Sequence, residues 1–241
     1  MDLDGIFRGV NKQLAGGRVS ASFYPYAELK HTWRSQKGVL SFKVSDYLDR
    51  SPEDVVEALA WYLLCRARGK DCPSGKAETY LVHARSKDLW EPKRDVYMGR
   101  ARHLSFRPKG EARDLQTVFD YVNSYYFKGA IAKPDLAWAR ESPSTRLGFY
   151  FEPLNLLAAN KALDSESVPR YVLEFVVYHE LLHGVMEPMG TPTRRLHHTK
   201  GFRAREREFS MYDDAEKWLS RLARDGRGRR STRQQGIVPQ A

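Results

Sequence analysis

His179-Glu180-Leu181-Leu182-His183 is a run whose residue types and spacing could do chemistry together. Two histidines four positions apart on a helix lie one turn apart on the same face, so both imidazoles can reach one ion. The intervening glutamate projects about 100° away from the first histidine, at about 3.6 residues per turn, beside such an ion and within reach of a water on it. Chance is a poor explanation. With 7 His and at most 30 Glu among 241 residues, only about 0.02 random matches are expected. Val172, Phe175, Val176, His179, His183 and Met186 share one helical stripe, so the histidines should face the interior.

A catalytic zinc takes three protein ligands and keeps one position open. Two further histidines, His197 and His198, follow in Leu196-His-His-Thr-Lys-Gly-Phe202. Met189 stands where an HExxHxxGxxH arrangement would need its third histidine, which excludes that pattern. His198, directly before an expected helix start, is the favoured third ligand. His197 is then a polar neighbour supporting the ligands, and Glu206 or Glu208 is the alternative third ligand. Arg146, Tyr150 and Tyr212 are candidates for holding substrate or a developing oxyanion, with surface or packing roles as the ordinary alternative.

These side chains need elements to hold them. A helix opening near Val168-Pro169 should carry Tyr171 through His183, with further helices over Thr199–Phe209 and Asp213–Ala223. Strand-like stretches lie around Asp135–Ala139, Arg146–Phe151 and Leu154–Ala159; Arg146–Phe151 could pair with an extended peptide. Before them, Leu115, Val118, Phe119, Val122 and Tyr126 make an amphipathic helix closed by Lys128-Gly129. Nearer the start, Val19–Phe23 and Val39–Val44 read as strands around the turn-like Ser35–Gly38. Ser51 as N-cap and Pro52 at the first helical position then start a helix. Residues 66–113 are mixed and basic. The expectation is an α+β chain: a polar lead-in over 1–17, a smaller α/β region over 18–110, a catalytic region over 111–223 and a basic, disordered tail over 224–241.

The two halves echo each other. Setting Pro52 against Pro169 places Trp61 on Tyr178 and Leu64 on Leu181, and puts Tyr62, Leu63 and Arg66 where the second half has His179, Glu180 and His183. One reading is a degenerate repeat without metal; chance alignment of amphipathic helices is the commoner source of such an echo.

Charge speaks to partners. Lys and Arg number 40 against 30 Asp and Glu, a net +10 that suits nucleic acid or another anionic surface. Between Arg221 and Arg233 six arginines stand against one aspartate, a local excess of five, and Arg227, Arg229, Arg230 and Arg233 are its candidate nucleic-acid contacts. Phe23, Tyr24, Tyr26 and Trp33, with Lys30 and Arg34, mix aromatics and bases as single-strand nucleic-acid surfaces do, although a half-buried strand face gives the same mixture. Two cysteines are too few for a disulfide framework. No signal sequence or membrane span is recognisable, which points to a cytoplasmic protein.

Several separated runs resemble the SprT-like zinc metalloprotease family, which includes the distantly related Spartan protease domain. They are Arg146-Leu-Gly-Phe-Tyr150, Ala162-Leu-Asp164, Val168-Pro-Arg-Tyr-Val-Leu-Glu174 leading into the HELLH run, and His198-Thr-Lys-Gly-Phe202. They occur in the family's order and span roughly residues 111–221. The resemblance implies a zincin-like domain in which the HExxH helix packs on a small antiparallel sheet. It implies one Zn2+ per chain held by His179, His183 and His198, with Glu180 as general base. The four-cysteine zinc ribbon of many members is missing, which weakens transfer of their DNA-linked substrates. The expected function is a zinc-dependent endopeptidase cleaving protein or peptide substrates, some of them bound to nucleic acid. The alternative is a nucleic-acid-binding protein whose zinc is structural.

Overall fold

The computed structural model describes residues 1–140, 146–191 and 194–227. The chain is α+β. It divides into two units, one built on Met1–Ala101 and the other on Arg102–Gly190 with the helices after Arg195. The cut falls earlier than the expected boundary at residue 110, because Leu104–Ser105 forms a strand paired with Trp138 and Ala139.

The first unit opens on a helix where a polar lead-in was expected. In α1 (Leu3–Gln13), Leu3, Phe7 and Val10 recur at helical spacing and are buried, and the Asp2 carboxylate caps the helix by accepting the Gly5 N–H at 2.9 Å. β1 (Arg18–Tyr24), β2 (Thr32–Gln36) and β3 (Val39–Ser45) form a sheet of order β1-β3-β2, parallel between β1 and β3 and antiparallel between β2 and β3. Lys37 and Gly38, at φ 51° and 73°, make the tight β2–β3 turn that needs left-handed residues. α2 (Glu53–Ala67) begins one residue later than expected, with Pro52 as its N-cap. Residues 66–113, without regular pattern in the sequence, hold α3 (Glu78–His83), α4 (Lys87–Trp90) and α5 (Arg94–Arg100). Arg100 grips both oxygens of Asp46 at 2.6 and 2.8 Å.

The second unit repeats that order. After β4 (Leu104–Ser105), α6 (Leu115–Phe127) is capped by Asp114 and ends at Lys128 in the left-handed region, φ 55°. β5 (Asp135–Ala139), β6 (Gly148–Phe151) and β7 (Leu156–Asn160) follow, and then α7 (Arg170–Val185) with Pro169 as N-cap. The sheet order is β4-β5-β7-β6. β5 and β7 run parallel, while β6 is antiparallel to β7. The sheet is therefore mixed, where an antiparallel one was expected: the connection through β6 returns the chain to pair β7 alongside β5. Arg18 pairs with Val39 in one unit and Asp135 with Leu156 in the other, both shifted by 117 positions (135 less 18, 156 less 39). Pro52 and Pro169 keep the same shift (169 less 52).

The second core joins Leu136, Trp138, Leu157 and Ala159 of the sheet to Val118, Phe119 and Val122 of α6 and to Val172, Phe175 and Val176 of α7. Beneath it the loop before α6 is clamped to residue 164. The Asp164 carboxylate, with no side-chain exposure, accepts the N–H groups of Glu111, Ala112 and Arg113 at 2.7, 2.9 and 2.8 Å and pairs with Lys161. Burial alone would raise its pKa; the Lys161 ammonium and the three amides prevail and hold it at about 2. After α7 come two short paired strands, β8 (Met189–Thr191) and β9 (Arg194–Leu196), then α8 (Lys200–Glu206) and α9 (Tyr212–Arg227). The first four residues of the expected tail are thus helical. Arg227 closes α9, whereas Arg229, Arg230 and Arg233 lie outside the described residues. Among the described residues no helix is long and apolar enough to cross a membrane.

Candidate metal centre

α7 presents His179 and His183 one turn apart near its C-terminal end, as the four-residue spacing requires. β6 lies close against this part of the helix because two glycines allow it. A Cβ on Gly148 would stand 2.8 Å from Val176 Cγ1, and one on Gly184 would stand 2.7 Å from Tyr150 Cε1. α8 supplies the rest. Thr199 caps it, its hydroxyl accepting the Phe202 N–H at 3.1 Å, and this fixes His198 immediately before the helix.

The three imidazoles converge on one point. His183 Nε2 lies 3.2 Å from His179 Nε2, and His198 Nε2 lies 3.3 Å and 3.2 Å from those two atoms. A tetrahedral ion about 2.0–2.1 Å from each nitrogen would hold them about 3.3–3.4 Å apart, so the triangle fits. His179 Nδ1 is 2.6 Å from Glu206 Oε1 and donates to it, leaving the Nε2 lone pair directed at the other two histidines. Three Nε2 atoms this close together are placed for one cation to be shared among them. Among the described residues this trio is the group of His, Cys, Asp and Glu placed to hold a metal ion.

Phe202 forms the floor. Buried to 1% exposure, its ring lies 5.2, 4.7 and 4.9 Å from the rings of His179, His183 and His198. Glu206, one turn further along α8, is buried too. Both alternative glutamates are therefore engaged elsewhere. Glu206 orients His179, and Glu208 pairs with Arg205 at 2.6 Å on the surface. His197 lies outside the trio, its ring edge-on to His183 at 5.7 Å.

The titration behaviour follows from this packing. Burial, and then the neighbouring histidines, pull His183 down to about 3 and His198 in the same direction, keeping both neutral as ligands must be. Burial disfavours the charged form of His179 as well, but the Glu206 hydrogen bond and nearby carboxylates outweigh it and the net shift is upward. Glu180, 8% exposed, is raised by burial, against the lowering effects of His179, Arg146 and a hydrogen bond from the Tyr150 N–H.

The other expected contacts separate. Arg146 is exposed, its guanidinium 4.9 Å above the Phe149 ring and its charge felt by Glu180. The Tyr150 hydroxyl donates to Asn155 at 2.8 Å, so the part of this residue that reaches Glu180 is its backbone. Tyr212 packs edge-on against Phe175 at 5.6 Å. The roles of Phe202 and Glu206 were missed in the sequence; the signal was their four-residue spacing on a helix starting beside the third histidine. Comparison of the chain with protein-family models, with curated proteins and with solved structures gave no match.

Proposed function

We propose that this chain is a zinc-dependent endopeptidase of the SprT-like kind, in which His179, His183 and His198 hold one zinc ion and Glu180 is the general base. The convergence of three Nε2 atoms at 3.2–3.3 Å, beside a buried carboxylate on the same helix, is the observation that carries this reading. The family assignment rests on the sequence motifs. When bound, zinc supplies a Lewis acid that polarises a carbonyl and lowers the pKa of a coordinated water to about 7.

The protein's own residues divide the remaining tasks. Glu206 fixes the His179 tautomer by taking its Nδ1 proton as a hydrogen bond. Phe202 keeps water from beneath the imidazoles. β6 is an edge strand of its sheet, and its outer backbone groups other than the Tyr150 N–H, which Glu180 accepts, suit an extended peptide. Glu180 takes a proton from the attacking water as the new C–O bond forms. It returns that proton to the amide nitrogen as the C–N bond breaks, releasing an amine and a carboxylic acid that then ionises, its proton going to the amine. Burial raises its pKa, which makes it a stronger base.

Glu180→Gln should retain zinc while hydrolysis of a casein or fluorogenic peptide substrate falls by about 10²–10⁴-fold. Unchanged hydrolysis in that variant would overturn the assignment. A structural zinc site in a nucleic-acid-binding protein is the alternative, and the absence of a fourth ligating side chain among the described residues disfavours it.

A further inference from the structure

The two sheets differ on the face turned away from their helices. In the first unit the helix-facing side chains are those of Val19, Phe42 and Val44, buried, with Phe42 5.1 Å from Phe7 of α1. The alternate residues therefore point the other way. On that face the register sets three cross-strand rows: Gln36, Val39 and Arg18; then Arg34, Ser41 and Ser20; then Thr32, Lys43 and Ser22. Tyr24 begins the next row and is 41% exposed. Arg18, Ser22, Arg34, Ser41 and Lys43 are exposed as well.

Each of the three rows carries one cation and none carries an acid. Among the described residues no carboxylate forms an ion pair with Arg18, Arg34 or Lys43. Successive rows are about 6.8 Å apart along the strands and the cations stand on three different strands, so their Cα atoms lie about 8–14 Å apart, a spread that long side chains can gather onto the phosphates of one extended single strand. Between the cations stand small hydroxyls, with the Ser20 and Ser41 hydroxyls 2.9 Å apart, leaving room for a backbone to approach. Lys43 Nζ lies 4.3 Å from the centre of the Tyr24 ring, so charge and an aromatic surface meet at one end of the array. Three strands at about 4.8 Å spacing make a face about 10 Å across, wide enough for one extended strand.

We propose that this open face of the β1-β3-β2 sheet binds single-stranded nucleic acid, with Arg18, Arg34 and Lys43 each neutralising one phosphate. The aromatic mixture in the sequence divides accordingly. Trp33 turns inward, 6.3 Å from Phe42, while Tyr24 and Arg34 serve the outer face. This surface belongs to the first unit and uses none of the residues of the metal centre.

The test is binding of a labelled oligothymidylate to the full chain by fluorescence anisotropy across a salt series, beside the variant R18Q/R34Q/K43Q. For single strands the slope of log K against log salt is about −0.7 per phosphate contact, so the variant should lose about 2 from the magnitude of its slope. If the triple variant fails to unfold cooperatively, the single change Arg34→Gln should remove about 0.7. An unchanged slope, no binding by the parent chain, or equally tight binding of polyglutamate would each overturn the proposal.

Discussion

On α2 stand Tyr62, Leu63 and Arg66; on α7, 117 positions later (179 less 62), stand His179, Glu180 and His183. The strands before each helix are joined in the same order and paired in the same senses. In the first unit Arg66 reaches the Tyr62 hydroxyl at 2.7 Å, a surface pair that asks for no ion. A helix over a three-stranded mixed sheet is thus a frame that does not by itself make a site. What sets the second unit apart is α8, which brings Phe202 and Glu206, with His198 just before it, up to His179 and His183. The outer sheet faces diverge in the opposite sense: Ser20, Ser22 and Ser41 correspond to the buried or shielded Ala137, Ala139 and Ala158. One unit has put its polar chemistry at a helix end, the other across a sheet.

The comparison can be broken at α8. Glu206→Gln keeps the shape but weakens the hydrogen bond that orients His179. Zinc affinity, read by competition with a chromogenic chelator, should fall about 10–100-fold. Arg66→Ala, at the position of the first unit that matches His183, should leave that affinity unchanged. Equal effects from the two changes would mean that the sites are not distinguished in this way.

A smaller difference concerns Asp164, whose clamp on the 111–113 loop belongs to the second unit. Its pKa is lowered from 3.8 to about 2, so the clamp stabilises the fold above about pH 4 and is lost as pH falls through about 2. The contribution is about 2 kcal/mol at neutral pH. Asp164→Asn should therefore lower urea stability by about that amount at pH 7, and the gap from the parent chain should close toward pH 2. A gap independent of pH would show that the carboxylate charge is not what holds the loop.

How far these features were legible in the sequence depends on their range. The four-residue spacing of His179 and His183 is local, and so was readable; His198 was readable because a cap and a helix follow it at once. Glu206 was legible as an acid near the site but not as the partner of His179, since that contact is set by how α8 lies against α7 across 27 positions. Strand alternation carries no direction, so the antiparallel sheet was an implication of the resemblance alone, and only the β5–β7 pairing reveals the parallel step. α1 was hidden by composition: Leu3, Ile6, Phe7 and Val10 are the apolar residues of an otherwise polar stretch, yet the spacing of Leu3, Phe7 and Val10 buries one face. Residues 66–113 gave no pattern because their helices are short. Arg18 and Lys43 were not seen as companions of Arg34, because it is the strand register that places all three on one face.

The central claim is that three histidines hold a zinc whose fourth position is left for water. X-ray absorption at the zinc edge of the full chain tests it most directly. The account predicts one zinc per chain with imidazole nitrogens and one exchangeable oxygen, all at about 2.0–2.1 Å. A fourth protein ligand in that shell, or zinc retained at full stoichiometry after His179→Ala and His183→Ala together, would contradict it.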